Sequence, residues 1–232
     1  MTNGPMMKDY DEEVPIQYQE KRSVFMGMEL MVDGRVLIPR PETEILVSTA
    51  CGLLKEKEIT DPKVADIGTG SGAAALGVAS LFADGKVVAA DISPDALDVA
   101  RFNVAKFGLA VRIELRVSDM FSAFTEEEEG TFDAVISNPP YVSEKDYGKL
   151  DAWVLAEPKQ ALYGGRDGMK ILRRIAQESG KMLRPGGFTA VEVGYDQAGR
   201  MKEEFRINGF INVDGFQDEN GYERVIIGWK IG

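Results

Sequence analysis

The sequence contains no histidine and only one cysteine, Cys51. The missing histidine excludes a Ser-His-Asp or Cys-His hydrolase and any metal site built on imidazole. With a single thiol besides, a zinc site would rest on carboxylates alone, so no metal is expected. No internal disulfide can form, and Cys51 lies within an apolar helical pattern that reads it as a buried small hydrophobe. Positive charge is also scarce. Lys and Arg total 27 against 38 Asp and Glu, a net charge of −11. That balance disfavours broad capture of nucleic acid, which depends on neutralising phosphates, and favours a basic partner if the partner is a protein. No apolar run approaches the ~20 residues that span a bilayer. The N-terminus carries Asp9, Asp11, Glu12 and Glu13 and reads as neither a signal nor a transit peptide. A cytoplasmic protein is the resulting expectation.

The 232 residues, 44% of them hydrophobic, suit one domain with a substantial core. Residues 1–22 form a polar tail, expected to be frayed or loosely docked. Two apolar runs then flank Asp33-Gly34, a strong hairpin signal, so a small β-hairpin is expected over 23–38. Pro39-Arg40-Pro41 stops it, and a helix with acidic residues in its first turn is expected over 42–56. From Lys63 onward short apolar strands alternate with amphipathic helices. Strands are expected at 64–67, 86–91, 111–117, 132–137 and 188–193, and helices at 73–82, 93–107 and 169–183. Ser93-Pro94 caps the second of these helices. A closing pair of strands, 210–216 and 223–229, is joined by Asp218-Glu219-Asn220-Gly221. Such alternation implies a parallel sheet covered on both faces, and the final hairpin makes one strand antiparallel. The Glu126-Glu127-Glu128-Glu129 run reads as a solvated loop.

Two motifs carry chemistry. Asp66-Ile67-Gly68-Thr69-Gly70-Ser71-Gly72 stands where a strand meets a helix, where open α/β sheets bind ligands and glycines let backbone approach closely. Alone it is ambiguous, because Gly68, Gly70 and Ala73 also satisfy a dinucleotide fingerprint, with Asp91 suitably spaced for a ribose hydroxyl. The second motif, Asn138-Pro139-Pro140-Tyr141, follows the fourth strand at the same sheet edge and breaks the tie. Two prolines remove backbone donors and leave carbonyl acceptors, Asn138 adds a side-chain acceptor, and Tyr141 offers a flat face. Such a set suits a planar –NH₂ group. Its delocalised lone pair makes that nitrogen a poor nucleophile. Acceptors on both hydrogens would aim the lone pair and stabilise charge growing on nitrogen. The motif does not choose between an amide and a nucleic-acid base.

At this point the sequence resembles the HemK/PrmC family of protein-glutamine N-methyltransferases, which modify the Gly-Gly-Gln motif of class-1 peptide release factors. The resemblance rests on Pro15-Ile16-Gln17-Tyr18 and on the string Val36-Leu37-Ile38-Pro39-Arg40-Pro41-Glu42-Thr43-Glu44. The two motifs above carry it further, with Glu157-Pro158, Ala161-Leu162, Gly165-Arg166-Asp167-Gly168 and Glu223-Arg224-Val225. It implies a class I, Rossmann-like methyltransferase fold with a mostly parallel seven-stranded sheet, over a methyltransferase domain at 23–232 with its catalytic core at 42–232. It also implies S-adenosylmethionine as cofactor. By the same resemblance, Asp66, Gly68, Thr69, Gly70, Ser71 and Gly72 lie at the methionine moiety. Asp91 holds the ribose, and Met120, after Asp119, flanks the adenine with a thioether where relatives often carry an aromatic ring. Asn138 touches cofactor and glutamine, and Pro139, Pro140 and Tyr141 the glutamine. For residues 38–44 two readings stand: a lid near the methionine end, or a loop locked by Arg40 salt bridges.

Relatives of this branch carry a helical domain ahead of the region matching Gln17-Tyr18. Here the expectation is a catalytic domain without it. Rival readings are methylation of another protein's glutamine, methylation of the exocyclic amine of adenine in DNA or RNA, and a non-catalytic scaffold that keeps the fold.

Overall fold

A computed structural model describes residues 11–232. The part of the expected tail that falls at 1–10 lies outside them. The rest is not loosely docked. Helix α1 (Ile16–Glu20) follows Pro15, and Tyr18 is buried with its hydroxyl donating to the Val36 carbonyl.

Strands β1 (Ser23–Phe25) and β2 (Met28–Leu30) pair antiparallel, but the turn is Met26-Gly27 and not Asp33-Gly34. Met26 and Gly27 have φ of 47° and 74°, the positive angles a two-residue hairpin turn requires. The uncommon conformation of Met26 is held by Glu44, whose Oε1 accepts the Met26 N–H at 2.6 Å. After Leu30 the chain leaves the ribbon, because the Met31 N–H donates to Asn103 Oδ1 instead of a strand partner. Asp33 starts a hydrogen-bonded turn outside any strand pair, accepting the Val36 N–H on its carbonyl and the Arg35 guanidinium on its carboxylate.

Helix α2 (Pro41–Glu56) starts on a proline and carries Glu42 and Glu44 in its first turn. Its apolar stripe buries Leu46, Val47, Ala50, Cys51 and Leu54, and burial pushes the Cys51 thiol up to about 12, so it is inert.

The sheet then builds by strand–helix alternation: β3 (Lys63–Ile67), α3 (Ala73–Leu81), β4 (Lys86–Asp91), α4 (Pro94–Lys106), β5 (Ile113–Val117) and β6 (Phe132–Ser137). Three short helices, α5 (Glu144–Tyr147), α6 (Ala152–Leu155) and α7 (Lys159–Leu162), interrupt the polar stretch before α8 (Lys170–Met182). β7 (Leu183–Glu192), α9 (Ala198–Ile207), β8 (Ile211–Gln217) and β9 (Glu223–Trp229) complete it. The order is β5-β4-β3-β6-β7-β9-β8, and in this sheet β9 runs opposite to the other six strands.

Two strand edges and the acidic run differ from expectation. β5 begins at Ile113 because Val111 is exposed. Residues 183–187 join β7 through an irregularity opposite Phe132 and Ala134, where Gly187 lies so close that a Cβ would fall 2.9 Å from the Asp133 carbonyl. The acidic run is partly structural, since both Glu128 carboxylate oxygens take the Arg116 guanidinium, at 2.7 and 2.9 Å.

Each face of the sheet has its own core. Leu46, Leu54, Leu76 and Phe188 are buried on the α2–α3 side, and Leu172, Ile175, Met201 and Phe205 on the α8–α9 side. The chain reverses its direction across the sheet between β3 and β6, so a crevice opens at their carboxyl ends. No helix among the described residues is long and apolar enough to cross a membrane.

Candidate active site

The crevice contains a cavity of about 350 Å³. Its floor is the glycine loop. Gly68, Gly70 and Gly72 all have positive φ (76°, 55° and 83°), so side chains there would be strained. The Gly68 and Thr69 N–H groups both donate to the Ala90 carbonyl, at 2.8 and 3.0 Å, tying the loop to β4. Asp66 braces it from beneath. Its Oδ2 accepts from Thr69 Oγ1 at 2.6 Å and from the Ala75 N–H at 3.1 Å, near the start of α3. Desolvation pushes the Asp66 carboxyl up to about 7.

Asp91 ends β4. Its Oδ2 accepts the Gly70 N–H and its Oδ1 the Ser93 N–H, each at 2.9 Å, so each oxygen keeps a lone pair for a hydroxyl. Burial raises its pKa. Beyond β5, Asp119 and Met120 form another wall, with Met120 buried at a φ of 54° and Asp119 Oδ1 paired to Arg174 at 2.6 Å.

Residues 36–43 close the cavity from the N-terminal side. Val36, Leu37, Pro39 and Thr43 line it, while Arg40 forms an ion pair with the buried Glu157, which also accepts the Ile38 N–H at 2.9 Å. The Arg40 salt bridge of the second reading is present, in a segment that walls the cavity. Desolvation raises the Glu157 pKa, while those two donors act to lower it.

Asn138, Pro139 and Pro140 face the cavity from the end of β6. Asn138 Nδ2 donates to Thr43 Oγ1 at 2.8 Å, and among the described residues no donor pairs with its Oδ1. Thr43 Oγ1 donates to Glu192 Oε2 at 2.7 Å, and the Tyr141 hydroxyl to Glu192 Oε1 at 3.2 Å. Glu192 is fully buried, and desolvation pushes it up to about 7.

The cavity thus brings together Asp66, Gly68, Thr69, Gly70, Ser71, Asp91, Asp119, Met120 and Asn138 to Pro140. Gly72 and Tyr141 do not line it. Gly72 caps α3 and packs on α4, where a Cβ would sit 3.4 Å from that of Ala100. Tyr141 turns its hydroxyl to Glu192 and lies with Arg224 6.0 Å from its ring centre. Thr43, Glu192 and Gln197, whose Nε2 donates to the Tyr141 carbonyl at 2.8 Å, received no role from sequence. An acid ending the apolar run of β7 is the one signal that could have flagged Glu192.

Asp66 and Glu192 set an expected pH dependence of stability. Both carboxyls titrate near 4 when unfolded. Folded, they keep their protons to about 7, so the folded state binds more protons in between. Stability must then fall as pH rises through that window and level off above it. Calorimetry should find a lower Tm at pH 7.5 than at pH 5.5, with a shallower drop in Asp66→Asn. A Tm that climbs over this range would contradict the assignment.

A glycine loop after the first strand of this sheet, an acid at the end of the second and Asn-Pro-Pro-Tyr after the fourth define a class I methyltransferase. Residues 42–168 match the methyltransferase small domain family. The release factor glutamine methyltransferase of Clostridium acetobutylicum is 38% identical over 93% of this chain and 75% of its own length. That of Streptococcus pneumoniae is 42% identical over 92% and 74%. Among solved structures, the release factor-specific protein-(glutamine-N5) methyltransferase of Alicyclobacillus acidocaldarius matches 84% of this chain and 95% of its own, at 28% identity and a TM-score of 0.51. A Pyrococcus furiosus methyltransferase shares the fold at a TM-score of 0.64 and 21% identity, covering 89% of this chain and 91% of its own. The chain belongs to the release factor glutamine methyltransferase family.

Proposed function

We propose that this protein methylates the side-chain amide nitrogen of a protein glutamine, in the Gly-Gly-Gln motif of a class-1 peptide release factor, in the cytoplasm. The observation that carries the reading is the orientation of Asn138. Its amide nitrogen is engaged by Thr43, so its oxygen is left as an acceptor at the cavity.

The residues present fit S-adenosylmethionine. The glycine loop admits close backbone approach, the Asp91 oxygens have lone pairs for ribose hydroxyls, and Met120 offers an apolar wall for a base. When bound, it supplies a methyl group on a sulfonium, already activated for displacement by nitrogen. Everything else falls to the chain. Asn138 Oδ1 and the Pro139 carbonyl accept the two hydrogens of the glutamine –NH₂, which fixes the nitrogen and stabilises charge growing on it. Pro39 walls the cavity, and the ion pair between Arg40 and Glu157 latches the segment that carries it. The methylated amide sheds one proton after transfer, so the site needs no strong base, in keeping with a chain that has no histidine.

Purified protein with radiolabelled cofactor should label a class-1 release factor, and should fail to label a factor whose Gly-Gly-Gln glutamine is replaced by alanine. Labelling of DNA or RNA but not of the factor would overturn the reading.

A further inference from the structure

Asn138 presents a choice that packing cannot make. Its amide oxygen and nitrogen are nearly isosteric, so only hydrogen bonds decide which one faces the acceptor. With the oxygen outward the amide accepts from a glutamine –NH₂. With the nitrogen outward, donor meets donor and the acceptor nitrogen has no place to dock.

Two separate elements resolve the choice. Thr43, in the first turn of α2, has one hydroxyl hydrogen and gives it to Glu192 Oε2 at 2.7 Å. Toward Asn138 it can therefore only accept, and Asn138 Nδ2 lies 2.8 Å away. Glu192, at the end of β7, is wholly buried and as a carboxylate can only accept, taking Thr43 on one oxygen and Tyr141 on the other. The charge on Glu192 thus sets the direction of every link. We propose that Thr43 and Glu192 are positioning residues whose hydrogen-bond polarity holds the Asn138 amide with its oxygen toward the acceptor nitrogen. This rests on the reading of Asn138 as the docking residue for that nitrogen.

The groups facing Glu192 come from three sides: Thr43 and Glu42 on α2, Tyr141 after β6, and Arg224 on β9. Arg224 Nη2 is 3.8 Å from Glu42 Oε1 and 3.4 Å from the Tyr141 hydroxyl, so this one cation offsets both acids. Desolvation outweighs it and pushes Glu192 up to about 7. Once protonated, Glu192 can donate to Thr43, whose own hydrogen then turns to Asn138 and draws the amide oxygen inward. Methyl transfer should therefore gain rate as pH rises through about 7, in kcat and not in cofactor affinity.

The test compares wild type with Thr43→Val, Thr43→Ser and Glu192→Gln. Each is checked for folding by circular dichroism and for binding S-adenosylhomocysteine by calorimetry. Thr43→Val keeps the shape and loses the relay, and is expected to lower kcat by about 30-fold, within the range set by misorienting a reacting group. Thr43→Ser should recover most of that loss. Glu192→Gln should lower kcat comparably and flatten its rise with pH. Wild-type kcat and pH profile in both Thr43→Val and Glu192→Gln would overturn the proposal.

A readout free of substrate is the exchange of the Asn138 side-chain amide protons with solvent, followed by NMR. Exchange should be slow in wild type and at least tenfold faster in Thr43→Val. Equal rates would also overturn the proposal, whatever the protein methylates. Failure of wild type to modify any glutamine, with the exchange difference intact, would count against the functional reading alone.

Discussion

Asn138→Ala is expected to lower kcat by about 10³-fold while weakening cofactor binding by no more than about tenfold. The asymmetry follows from where the side chain works. The proposed cofactor cradle is built mainly from the glycine loop and Asp91, whose geometry is set by backbone hydrogen bonds to Ala90, Gly70 and Ser93. Asn138 contributes little to that framework, since its one side-chain hydrogen bond among the described residues goes to Thr43. On the proposed mechanism its oxygen instead meets a nitrogen that becomes positive only as the new bond forms, so its removal costs the transition state more than the ground state. Asn138→Asp should be no milder, because a carboxylate there cannot donate to Thr43 and adds negative charge beside Glu192. Single-turnover rates and calorimetric binding of S-adenosylhomocysteine separate the two effects. Full activity in Asn138→Ala would remove the residue from the mechanism.

Gly168→Ala is expected to cost several degrees of Tm and about 100-fold in kcat, though residue 168 does not line the cavity. Gly168 has a φ of 73°, a conformation that costs any other L residue about 1–2 kcal/mol. A Cβ there would also lie 2.4 Å from the Tyr141 carbonyl oxygen and 2.5 Å from Gln197 Nε2. The first of these is backbone and cannot rotate away. Relief requires moving the segment that follows Asn138, and it breaks the bond from Gln197 to Tyr141. The damage therefore reaches the prolines proposed to dock the acceptor. Gly199→Ala is the matched control. It lies in α9 with no atom within 4 Å of an added Cβ, and should be neutral or slightly stabilising. Equal Tm and kcat in both variants would contradict this account.

These two glycines also mark what local sequence can and cannot say. The core strands and the positions of both motifs were legible, because apolar runs, glycine turns and proline stops act within a few residues. The N-terminal hairpin was misplaced by the same local logic. Asp33-Gly34 is the stronger turn signal, yet Met26-Gly27 turns, because Glu44 holds the Met26 N–H and Asn103 takes that of Met31. Those partners are tertiary, and no local pattern reveals them. Tyr141, expected to offer a flat face, does not line the cavity, and its partly buried phenol finds a partner in Glu192 instead. Thr43 stood in plain view within the Pro39-to-Glu44 string. Its role did not, because Asn138 lies 95 positions away and Glu192 149.

That separation bears on how the enzyme comes into being on the ribosome. A chain made N-terminus first exposes the glycine loop, Asp91 and Asn138 before Glu192 has been polymerised. Arg224 follows later still, on a strand that must insert between β7 and β8. Every residue proposed to hold the methyl donor is thus made well before the acid proposed to turn the amide that receives the acceptor. The groups proposed to hold the donor and to use it are thus made at different times, with the end of β7 supplying the second.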